Sequence, residues 1–60
     1  MIHIAFIYKG TVVKRQSFDI NYTKATKQMI RDWVSHGEIQ RPENWERYEI
    51  TEEPLPDWVG

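Results

Sequence analysis

Residues 2–8, Ile-His-Ile-Ala-Phe-Ile-Tyr, carry apolar side chains at both parities of an extended chain. In a strand, successive side chains alternate between faces, so Ile2, Ile4, Phe6 and Tyr8 share one face and His3, Ala5 and Ile7 the other. β-branched and aromatic residues dominate the run, which favours a pleated strand over a helix. A strand that needs cover on both faces belongs in the middle of a sheet. The rest of this 60-residue chain has to be arranged around it.

Lys9-Gly10 follows directly, and Gly at such a point supplies the positive φ of a tight turn, so residues 11–20 are predicted to return as an antiparallel partner. Val12, Val13, Phe18 and Ile20 in that run are apolar, whereas Lys14-Arg15-Gln16-Ser17 is not. Such a break suits an edge strand, where charge discourages pairing with another chain. Next, Tyr22, Ala25, Met29, Ile30, Trp33 and Val34 recur at spacings of three and four, the stripe of an amphipathic helix lying on a sheet. Asn21 or Thr23 is placed to cap its start, and Gly37 after His36 fits the left-handed residue that closes many helices. Lys24, Lys27 and Arg31 fall outside the stripe, so the outer helix face is predicted to be basic.

A loop from Gly37 to Asn44 contains Pro42, and Trp45–Thr51 is predicted as a third strand, with Tyr48 and Ile50 on one face and Trp45 with Arg47 on the other. Residues 52–60 form an acidic tail in which Pro54 and Pro56 forbid a regular ladder and favour an extended path. The expected organisation is thus one ββαβ domain over residues 1–51 and a proline-rich tail over 52–60 packed against it.

A chain this short buries only roughly 60% of its unfolded surface, so one small core must hold it. With no cysteine there is neither a disulfide framework nor a thiolate metal site, which points to a reducing, cytoplasmic setting. Aromatic side chains, 13% of the residues, must supply the bulk, and they serve equally as core or as interface anchors. The start, Met-Ile-His-Ile, does not have the charged-then-apolar pattern of a secretory signal, and no apolar run approaches the ~20 residues of a membrane span.

The order β-β-α-β, with an N-terminal hairpin, a helix starting near Thr23 and a Gly37-Glu38-Ile39…Pro42 loop leading into a strand, resembles the first three-quarters of the ubiquitin-like β-grasp fold. The resemblance implies an α+β domain with one helix packed on a three-stranded sheet, the first and third strands parallel in its middle. It also implies recognition by other proteins through the sheet face. The chain lacks that fold's final strand, and Trp58-Val59-Gly60 has no Gly-Gly pair, so conjugation chemistry is not implied.

Charge is divided along the chain. Residues 1–35 hold Lys9, Lys14, Arg15, Lys24, Lys27 and Arg31 against Asp19 and Asp32, a net of +4, and residues 36–60 carry a net of −5. Two partner classes follow. Lys14, Arg15, Lys24, Lys27 and Arg31 are candidates to track nucleic-acid phosphates, although a solvated helix face explains most of them equally well. The acidic third strand and tail instead suit a basic protein partner, with Trp45, Tyr48 and Trp58 as anchors and Arg47 and Glu49 beside them. His3 and His36 have no metal-ligand spacing, His36 at a helix end has a structural explanation, and no nucleophile elbow, phosphate loop or dinucleotide fingerprint occurs. No catalytic residue, metal or cofactor is therefore expected. The favoured function is a small non-catalytic protein-interaction module, of the kind encoded by phages or mobile elements as an accessory or inhibitor protein that occludes a partner. Nucleic-acid binding through Lys24, Lys27 and Arg31 is the alternative, and a homodimer is a further possibility because an uncovered sheet edge invites pairing.

Overall fold

The computed structural model describes residues 1–56. Its elements are β1 (Ile2–Tyr8), β2 (Thr11–Phe18), α1 (Lys24–Ser35) and β3 (Arg47–Thr51). The helix packs against a three-stranded antiparallel sheet in the order β2-β1-β3, a small α+β domain with β1 in the middle. Six of the seven β1 residues are buried, on both faces, which is why no other strand of this chain can take the centre.

Lys9 and Gly10 both have positive φ, 52° and 77°, the signature of a two-residue type I′ turn whose twist matches the strands it joins. β1 and β2 then pair from Tyr8 with Thr11 down to Ile2 with Phe18. The register slips between Phe6 and Ile7, leaving Val13 as the extra residue of a bulge, 45% exposed. β2 ends at Phe18, two residues short of the predicted limit, and lies at the edge as its charges require.

Thr23 caps α1 through a reciprocal pair: the Thr26 N–H donates to Thr23 Oγ1 at 3.1 Å, and the Thr23 N–H donates to Thr26 Oγ1 at 2.8 Å. At the other end Gly37 takes φ 80°, the Gly37 N–H donates to the Val34 carbonyl, and the Glu38 N–H donates to the Trp33 carbonyl at 2.8 Å. That is a Schellman closure, and it folds the chain back so that Ile39 enters the core at 4% exposure. The core comprises Ile2, Ile4, Phe6, Ile30, Val34, Ile39 and Ile50. The predicted helix stripe is therefore narrower than its spacing implied: Ile30 and Val34 are buried, Trp33 and Met29 half-buried, and Ala25 exposed.

β1 and β3 run antiparallel, correcting the parallel pairing that the β-grasp resemblance implies. The path between α1 and β3 gives the reason. Lys14 Nζ donates to the Gln40 carbonyl, the Glu46 N–H donates to the Ile7 carbonyl, and the Lys9 N–H donates to the Glu46 carboxylate. The chain thus re-enters the sheet beside the hairpin turn, at the C-terminal end of β1, and β3 has only the downward direction left. No right-handed crossover between parallel strands arises. Among the described residues no helix is long and apolar enough to cross a membrane.

Candidate functional site

Among the described residues β3 forms one edge of the sheet, hydrogen-bonded to β1 along one side only. Phe6, opposite Tyr48 in the register, organises the aromatic residues at its start. Trp45 meets the Phe6 ring edge-on at 5.7 Å and 88°, Tyr48 packs on it at 5.7 Å, and Trp45 and Tyr48 lie 6.2 Å apart. Contacts of this geometry contribute roughly 0.5–1.5 kcal/mol each beyond burial. The Arg41 guanidinium sits 5.6 Å over the Trp45 ring, adding a cation–π contact.

Trp45 is consequently on the core face and not on the opposite one with Arg47, because strand geometry begins only at Arg47 and alternation does not extend back to residue 45. Trp45 and Tyr48 are both half-buried against the core, each with part of its ring left at the surface. Arg47 and Glu49, two apart on the other face of β3, form an ion pair. Trp58 and Asp57 fall outside the described residues.

Lys27 and Arg31 are also not where the sequence pattern predicts. Arg31 is exposed but Lys27 is half-buried, and both line a shallow groove of about 260 Å³ between α1 and β3, with Tyr48, Glu49, Ile50 and Thr51 as the other wall. At ~100° per residue, Lys27 lies about 60° round the helix from the buried Ile30 and about 20° from Val34, which accounts for its half-burial. Trp33 occupies the opposite flank of α1, packed on Phe18 of β2 at 5.5 Å. The helix cations therefore lie beside β3, whose own Arg47 and Glu49 pair with each other. Apolar periodicity cannot reveal this, since it fixes the buried stripe but not which flank lies over which strand.

The five basic candidates are divided. Lys14 lies beside Phe6 on the helix side of β2, with Nζ 6.0 Å over the Phe6 ring and bonded to Gln40, so its charge serves the fold. Arg15 pairs with Ala5 in the register and so points to the opposite face. Two strand spacings, roughly 10 Å, separate this edge from β3 and the groove. Lys24 is exposed on the first turn of α1, on the same strip as Lys27 and Arg31. Lys14 and Arg15 do not join that strip, so no continuous five-residue basic track exists.

His3, in the face of β1 away from the helix, is 8% exposed, and its Nδ1 lies 2.7 Å from the Ser17 hydroxyl. That contact gives the buried imidazole a local partner across the β1–β2 ladder. Among the described residues no group of three or more His, Cys, Asp or Glu is placed to hold a metal ion. Comparison with protein families, curated proteins and solved structures finds no match to this chain.

Proposed function

We propose that this chain is a small protein-interaction module that acts by binding, occluding or recruiting another protein through the β3 side of its sheet. The observation that carries the reading is the edge of β3, unshared among the described residues and flanked by the half-buried Trp45 and Tyr48 and by the groove beside α1. An edge strand offers backbone donors and acceptors, and flanking aromatic side chains offer anchors of the kind that dominate interface energetics.

Capture from a lysate tests the reading, with far-UV circular dichroism confirming that each variant folds. Tyr48→Ala is expected to lose partners that the parent chain retains, whereas Lys14→Ala combined with Arg15→Ala keeps them. Trp58→Ala tests the remaining anchor in the same way. Identical captured proteins from the parent and the β3 variant would overturn the assignment.

A further inference from the structure

We propose, building on the interaction-module reading, that the groove between α1 and the outer edge of β3 receives an extended acidic peptide segment. The segment adds to β3 as a fourth strand and sets two carboxylates, two residues apart, against Lys27 and Arg31.

The two edges of the sheet are defended unequally. β2 carries a bulge at Val13 and has Lys14 and Arg15 along its length, devices that deter strand addition. β3 pairs with β1 over five consecutive residues without a register shift, contains neither proline nor lysine, and has its two charged residues, Arg47 and Glu49, paired with each other. Alternate residues of such a strand send N–H and C=O outward, where an added strand would bond them. Its short length is its main protection, so an occupant needs side-chain contacts as well.

Those contacts are set by charge. Arg47 already compensates Glu49, whereas Lys27 and Arg31 have no carboxylate partner among the described residues, so the uncompensated charge lining the groove is positive. Their spacing specifies the ligand. Residues four apart on a helix have Cβ atoms about 5–6 Å apart, close to the roughly 6.6 Å between residues two apart on one face of a strand. A segment lying along β3 therefore brings a pair of same-face Asp or Glu residues level with both cations. A second copy of this chain fits less well. Antiparallel pairing of two β3 edges would place both helices on one side of the joined sheet and bring the two Lys27/Arg31 pairs toward each other, a like-charge opposition. Nucleic acid would use the cations and leave the backbone of β3 unused.

The test uses ¹⁵N-labelled full chain and two blocked seven-residue peptides, Thr-Val-Glu-Val-Glu-Val-Thr and its counterpart with lysine for glutamate, alongside inorganic phosphate and a single-stranded oligonucleotide at matched ionic strength. The glutamate peptide is expected to shift the amides of Arg47–Thr51 together with those of Lys27 and Arg31, and to slow exchange of the β3 amides. Lys27→Gln combined with Arg31→Gln should weaken it at least tenfold, and Lys27→Glu combined with Arg31→Glu should reverse the preference toward the lysine peptide. Equal binding of both peptides by the parent, shifts confined to the helix, reproduction of the shifts by phosphate or oligonucleotide, or β3 shifts that depend only on protein concentration would each overturn the proposal. Silent peptides combined with capture that still depends on Tyr48 would overturn the acidic-segment inference alone. Silent peptides with capture indifferent to Tyr48 would overturn the module reading as well.

Discussion

Phe6 ties the core of this molecule to its candidate interface. It is fully buried, lies in the central strand, and supports Trp45 edge-on and Tyr48 at a tilt, so the core and the candidate interface share one residue. Replacing it with alanine removes the ring and leaves a cavity, a loss of roughly 3–5 kcal/mol, as large as the whole stability of a domain this size. Phe6→Ala is therefore expected to be unfolded at 25 °C by circular dichroism, and a cooperative native melt would contradict the placement of Phe6. Lys9 makes a smaller and opposite case. It holds φ 52°, a left-handed conformation that asparagine tolerates better than lysine. Lys9→Asn should stabilise the hairpin by about 0.5 kcal/mol and raise the melting temperature by roughly 2–4 °C. A lower melting temperature would show that the turn is not of the two-residue primed type.

The elements of this chain were legible in unequal degree, and for physical reasons. Residues 2–8 declare a central strand because apolar groups at both parities admit no other position, and Thr23 and Gly37 mark the helix ends through local hydrogen-bonding and φ requirements. Direction was less legible: α1 and the segment after it could deliver β3 in either sense, and the choice rests on Gln40 meeting Lys14 and Glu46 meeting the hairpin. Ile39 was missed as core because a lone isoleucine in a loop has no period, although the glycine two positions earlier marks the Schellman turn that buries it. The cations of the groove were legible as residues but not as neighbours of β3. Two predictions belong here. Thr23→Ala removes one half of the reciprocal cap and should cost about 1 kcal/mol in a denaturant melt. Gly37→Ala forces a Cβ into the left-handed region and should cost a similar amount, since open space around Gly37 leaves backbone conformation as the only obstacle. Unchanged midpoints in both variants would mean that these motifs do not set the helix limits.

At the scale of the whole molecule, the division of charge along the sequence does not become a division between two faces. Lys14 is spent on the loop after the helix, Arg15 points away from the helix side, and Lys27 and Arg31 come to lie beside the strand that carries Glu49. What remains is a sheet with one defended edge and one open edge, the open one bordered by aromatic rings and two cations. Salt should therefore weaken capture of an acidic partner, because Arg31 is exposed and Lys27 only half-buried, and a Debye length of about 10 Å at 0.1 M screens such charges. The most direct measurement is amide hydrogen exchange of the labelled chain, free and with its captured partner. The account predicts added protection at Arg47–Thr51 and at Lys27 and Arg31, with the amides of β2 unchanged. Protection centred on Thr11–Phe18, with β3 exchanging as it does in the free chain, would contradict it.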